Sequence, residues 1–245
     1  SVKQTEDGLI LTLSNDGTKK VSGRTKNNET HPIIDICGQW LEEIFGAGEM
    51  ITATITNGEV KIERHSIEKA RVEREERILT TKEVQEGALC YGIGVSAHAI
   101  SSGLHDSGLN STVSLVMERD PRYLKVAHKN NPTISDKTVV IQGDIESCDA
   151  HFVPHLDVLS FSLPCTGHSP QGKTKNGLRM AEEHQSDATA LFGALNVIAK
   201  SNPAIIISEN VVSAQNSASY ILLKAELVRR KYDIFEFHLD ASHSN

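Results

Sequence analysis

Hydrophobic and polar positions divide the chain into three textures. Up to about residue 63, apolar side chains come in short alternating stretches: LILTL at 9–13, PIIDI at 32–36, MITATI at 50–55 and EVKIE at 59–63. A period of two predicts half-buried strands. Thr56-Asn57-Gly58 separates the last two runs, and Asn-Gly between alternating runs predicts a hairpin. The stretch GQWLEEIFGAGE at 38–49 predicts a short helix ended by glycine. Residues 1–63 therefore read as a small β-rich domain.

Residues 64–86 are charged, lack proline, and show weak helical periodicity, which predicts a solvated helix or linker. From Gly87 onward, near-continuous apolar runs alternate with helical patterns. The runs are ALCYGIGV (88–95), VSLVMERD (113–120), TVVIQGDI (138–145), DVLSFSLPC (157–165) and AIIISENV (204–211). Helical patterning falls at 95–103, 122–130, 187–201 and 218–231. Such alternation predicts an α/β fold with a mostly parallel sheet covered by helices on both faces.

The chain of 245 residues suits one large domain, or one medium domain with a small appendage. No apolar run reaches the roughly 18 residues that span a bilayer, and the polar start shows no signal peptide. The four cysteines, Cys37, Cys90, Cys148 and Cys165, form no CxxC pair. That pattern argues against a disulfide framework or structural zinc and for a cytoplasmic location. His98, His105, His128 and His151 show no metal-ligand spacing, so no metal is expected. A net charge of −7 excludes a generally basic coat but not a local basic groove.

Ligands of parallel sheets bind where strands end. The first run ends in Gly92-Ile93-Gly94, a turn that lets a nucleoside cofactor approach the backbone, or simply a tight turn. The second ends in Glu118, placed to accept from ribose hydroxyls, followed by Asp120-Pro121 as a helix cap. The third ends in Gly143-Asp144-Ile145, where the acid suits either an adenine amine or a cap. The fourth ends in Pro164-Cys165 and the fifth in Glu209-Asn210-Val211. Taken alone, SLPCTGHSP favours a buried cysteine, because free Cys is among the most buried residue types. Its company favours a nucleophile.

These elements, in this order, resemble the cytosine-C5 DNA methyltransferases from Gly87 to about His243. Pro164-Cys165 with Ser169 resembles the catalytic loop, Glu209-Asn210-Val211 the Glu-Asn-Val motif, and Gly92-Ile93-Gly94 the cofactor turn. The resemblance implies a Rossmann-like methyltransferase fold, S-adenosylmethionine as cofactor, and double-stranded DNA as partner. It makes Cys165 the nucleophile, Glu209 the group holding the base, and Asn210 the anchor of the Pro-Cys loop. Gly92, Ile93, Gly94, Glu118, Asp144, Ile145 and Pro164 would contact the cofactor. Ser169, Lys173, Lys175 and Arg179, in a basic segment read as a mobile loop, would meet the DNA. His168 is a further candidate base.

Two departures stand out. Ala88-Leu89-Cys90 replaces the family's Asp-Leu-Phe, and Ser160 to Leu163 replace a glycine-rich loop. The ending LDASHSN resembles the strand and loop before the family's arginine motif, so the chain reads as a fragment of a longer protein. An RNA cytosine methyltransferase and a non-catalytic nucleic-acid binder are the alternative readings. Residues 1–63, with Pro32-Ile33-Ile34, Gly38-Gln39-Trp40-Leu41, Gly48 and Asn57-Gly58, are similar to SymE-like proteins of the AbrB-type swapped-hairpin group. Those domains commonly dimerise and bind nucleic acid, which implies a homodimer through this region.

Overall fold

The computed structural model describes residues 1–17, 19–165, 167–177, 179 and 185–239. The chain forms two compact units, Ser1–Glu76 and Arg77–Asn245.

In the first unit, strands β1 (Val2–Thr5), β2 (Gly8–Thr12), β5 (Ile51–Thr56) and β6 (Glu59–Arg64) form an antiparallel sheet in the order β1-β2-β6-β5. Strands β3 (Ser22–Lys26) and β4 (Glu29–Ile33) pair by themselves. Asn27 and Asn28 turn that hairpin with φ of 54° and 63°. Two left-handed residues in a row match the right-handed twist of the flanking strands, and Asn tolerates them.

Three expectations change here. The run 32–36 contributes only Pro32 and Ile33 to a strand. The helix at 38–49 shrinks to a 3₁₀ turn, Gln39–Leu41, because glycines at Gly38, Gly46 and Gly48 leave too few residues to repay helix nucleation. β1 and β3 escaped notice because VKQT and SGRTK carry almost no apolar period.

Helix α1 (Ser66–Thr81) follows, and strand β7 (Glu83–Leu89) begins upstream of Gly87. The stretch 64–86 is therefore a helix plus the first half of a core strand. Glu68 and Arg74 of α1 are buried, so its surface is not wholly solvated.

The second unit continues with α2 (Val95–Asp106), β8 (Asn110–Glu118), α3 (Pro121–Asn130), β9 (Val139–Gln142), β10 (Val158–Phe161), α4 (Pro170–Asn176), α5 (Gln185–Ser201), β11 (Ile205–Ser208) and α6 (Ala218–Arg229). Its sheet is wholly parallel in the order β11-β10-β7-β8-β9. Helices cover both faces, as the apolar runs predict. Leu89, Leu115, Met117 and Leu159 pack with Leu191, Ala194, Val197, Ile198 and Leu223 of α5 and α6. Ala88, Val113 and Val116 pack with Ala97 and Ala127 of α2 and α3.

Val113 and Leu115 serve opposite faces although two residues apart. The pairing with β7 jumps from Glu86↔Val113 to Gly87↔Leu115, leaving Ser114 as a bulge. One extra residue reverses which side every later side chain faces.

Asp157 anchors the start of β10. Its carboxylate receives Arg77 Nη2 at 2.6 and 2.7 Å and the Gln85 amide at 2.6 Å. Strand order reverses between β7 and β10, and open parallel sheets bind ligands at such a switch point. Among the described residues no helix is long and apolar enough to cross a membrane.

Candidate active site

Register brings the carboxyl ends of three strands to one rim. Phe161 of β10 pairs with Leu89 of β7 and with Ser208 of β11. The next residues of the three strands, Ser162, Cys90 and Glu209, therefore emerge level and line one cleft together with Tyr91, Ser96 and Ile207.

The glycine turn after β7, the expected cofactor turn, is built on left-handed backbone. Cys90, Gly92 and Gly94 have φ of 52°, 58° and 86°. A non-glycine residue pays about 1–2 kcal/mol for such a conformation, so Cys90 must be held there. Tyr91 N–H donates to the Met117 carbonyl at 3.0 Å. Glu118, buried at the end of β8, accepts the Gly92 amide at 2.7 Å and the Asp120 amide at 2.9 Å. Each carboxylate oxygen retains a second lone pair. Sequence reasoning saw Glu118 only as a ribose acceptor; the structure also makes it the brace of the turn.

The two glycines do different work. A Cβ on Gly92 would meet nothing within 4 Å, which is open space where a ligand can approach the backbone. A Cβ on Gly94 would meet Asn131 Nδ2 and the Tyr91 ring. Ile93, between them, is exposed. Burial, with a further push from Glu118, raises the Cys90 thiol to about 11, so it stays protonated at neutral pH.

Asp120 caps α3, accepting the Arg122 amide at 2.9 Å with Pro121 behind it. Hydrogen bonds from Arg122 hold its carboxyl down at about 2. Asp144 is exposed, makes no capping bond, and lies 4.0 Å from Arg119. Ile145, expected beside the cofactor, is a core residue packed in one cluster with α5 side chains, because the 3₁₀ turn Ile145–Ser147 lies against α5.

Cys165 is exposed at the end of the segment that follows β10. Its carbonyl accepts the His168 and Ser169 amides at 3.0 and 2.9 Å. Asn210 Nδ2 donates to the Leu163 carbonyl at 3.2 Å, one residue before Pro164. Two ties escaped sequence reasoning. Ser162 Oγ donates to Glu209 Oε2 at 3.1 Å, and Ser213 Oγ donates to the His168 carbonyl at 2.8 Å. Both link residues more than 40 positions apart, beyond any local period.

His168 is 6% exposed, and its Nδ1 is the sole buried side-chain nitrogen or oxygen without a hydrogen-bond partner among the described residues. The segment after Cys165, read from sequence as a loop, contains α4. Lys175 and Arg179 are exposed and Ser169 is half-buried, whereas the Lys173 side chain lies outside the described residues. No group of three or more metal-ligating side chains occurs among the described residues.

The chain is similar to several solved structures. One from Listeria monocytogenes, assigned to the class I S-adenosylmethionine-dependent methyltransferases, is 12% identical with a TM-score of 0.45, over 66% of this chain and 50% of that one. TrmN from Thermus thermophilus is 12% identical with a TM-score of 0.35, over 71% and 51%. A Pyrococcus horikoshii structure assigned as an RNA methyltransferase is 17% identical with a TM-score of 0.35, over 58% and 56%. The chain thus spans about half the length of these structures. No curated protein sequence matches it. The model of the C-5 cytosine-specific DNA methylases matches residues 88–226, more than half of the chain, from the cofactor turn through the Glu209-Asn210 pair, and the chain belongs to that family.

Proposed function

We propose that residues 77–245 form the catalytic part of a DNA cytosine-C5 methyltransferase. The observation that carries this reading is the loop after β10: it presents an exposed Cys165 and is tied by Ser162 to Glu209 and by Leu163 to Asn210, while β7, the neighbouring strand, ends in a glycine turn with open space at Gly92. S-adenosylmethionine supplies an electrophilic methyl group there. Gly92 and Gly94 would admit it to the backbone, and Glu118 and Asp144 would accept from its ribose and adenine.

Cytosine C5 is a weak nucleophile. The Cys165 thiolate forms a bond to C6, and the displaced electron pair moves through the ring toward N3, which makes C5 enamine-like. Glu209 holds N3 and the exocyclic amine of the base, so that charge is relieved where it develops. After C5 has taken the methyl group, a base removes the C5 proton, and the returning electron pair expels the Cys165 sulfur. The target must leave the duplex to reach this rim. Ser169, Lys173, Lys175 and Arg179 would contact the flanking phosphates. In the same reading residues 1–63 bind nucleic acid and dimerise, supported by the exposed hairpin β3–β4 with Arg24 and Lys26.

The test uses duplex DNA carrying 5-fluorocytosine, which blocks removal at C5 and traps the adduct. The wild type forms a covalent complex and transfers label from S-adenosylmethionine. Cys165→Ala forms none, and its transfer falls at least about 1000-fold. Transfer that survives Cys165→Ala overturns the nucleophile. Transfer confined to RNA, or DNA binding with neither adduct nor cofactor binding, overturns the DNA-enzyme reading in favour of its alternatives.

A further inference from the structure

Asn131 follows α3 and has no place in the mechanism above, yet it is 8% exposed and fully engaged beneath the cofactor turn. Its Nδ2 donates to the Gly94 carbonyl and to the Tyr91 hydroxyl, both at 2.9 Å. Its Oδ1 accepts the Thr133 amide at 3.1 Å and the Thr133 hydroxyl at 2.7 Å. The Tyr91 and Thr133 hydroxyls lie 3.3 Å apart and close the ring. Tyr91 is itself 7% exposed.

This ring grips different atoms of the turn from those Glu118 holds. Glu118 takes the amide of Gly92, while Asn131 holds the carbonyl of Gly94 and the side chain of Tyr91. Between those two grips lie Gly92, which faces open space, exposed Ile93, and Gly94, which packs against Asn131 and Tyr91. A strained backbone keeps its shape only where its surroundings over-determine it. A buried, fully satisfied polar network is one such constraint.

We infer that Asn131 is a positioning residue for the cofactor, acting through Gly94 and Tyr91 to hold the turn in its binding shape before the cofactor arrives. The inference rests on the S-adenosylmethionine reading of this turn. Preorganisation lowers the cost of binding, so loss of the brace shows in cofactor affinity rather than in the methyl-transfer step.

Asn131→Asp tests it. The change keeps the shape and the Oδ1 acceptor for Thr133, but it replaces the donor toward the Gly94 carbonyl with an acceptor. Calorimetry is expected to show S-adenosylmethionine binding about tenfold more weakly, as for loss of a buried hydrogen bond. KM for the cofactor should rise in parallel, while kcat at saturating cofactor stays within about twofold. Without cofactor, hydrogen exchange at the Gly94 amide should quicken. Tyr91→Phe, which removes only the hydroxyl, should weaken binding by about threefold. Wild-type affinity and wild-type exchange in both variants overturn the inference, as does a fall in kcat with affinity unchanged. A wild-type protein that binds no S-adenosylmethionine overturns the cofactor reading and this inference together.

Discussion

The two units build sheets by opposite means. The first uses short antiparallel strands, and its buried apolar side chains among the described residues are Leu9, Leu11 and Ile44. Every residue of β5 is exposed. The second threads five parallel strands between helices and buries β10 completely. The difference bears on function. In an antiparallel sheet, each rim mixes strand starts with strand ends. In the parallel sheet all carboxyl ends share a rim, so residues from distant stretches meet there. Hence Cys90, Ser162 and Glu209 line one cleft, whereas the first unit offers an exposed hairpin.

That contrast can be attacked at three points. The largest effect is expected at Leu159, which is fully buried on β10, an inner strand of the parallel sheet. Leu159→Ala should cost about 3 kcal/mol in urea unfolding, whereas Ile55→Ala on exposed β5 should stay within about 0.5 kcal/mol. Equal costs would break the comparison. A middling effect is expected at the Arg77–Asp157 pair. Arg77→Ala leaves the Asp157 carboxylate buried with the Gln85 amide as partner. Part of the lost attraction is already screened, because Arg77 is 37% exposed, so the cost should be about 2 kcal/mol. Hydrogen exchange should quicken at β7 and β10 while β2 and β6 keep their protection.

The smallest effect concerns acid. Asp120 titrates at about 2 in the folded protein against an ordinary value of 3.8, because of Arg122. A depressed carboxyl stabilises above the unfolded value and loses that contribution as pH falls through the folded one. The cap should therefore weaken between about pH 4 and pH 2. Arg122→Ala should shift the Asp120 titration, followed by NMR, back toward its ordinary value, leaving the first unit unchanged.

Much of this was legible beforehand. Near-continuous apolar runs announce strands buried on both faces, and the residues that end them, Glu118, Cys165 and Glu209, were readable as a rim. Asp120-Pro121 announced a cap because capping is local. Other features were silent. The burial of Ile145 against α5 depends on how the 3₁₀ turn meets that helix, which no local pattern shows. The bulge at Ser114 leaves no mark in the sequence of β8, since it exists only in the pairing with β7. Asn131-Pro132 reads as an ordinary loop, and nothing nearby suggests that its amide serves Gly94 and Tyr91.

By itself, then, the sequence determined most of the strands and helices of the second unit, though neither the start of β7 nor α4, and in what order the chemically able residues follow those strands. Both follow from burial period and local turn chemistry, which act over a few residues. Only the tertiary structure decided that β7 lies between β10 and β8, that Ser162 and Ser213 tie the Pro-Cys loop to the segment after β11, and that Asn131 holds the glycine turn after β7. The side-chain ties among them join residues 37 to 47 positions apart. Strand pairing and core packing select them together, and no single stretch of chain carries that information.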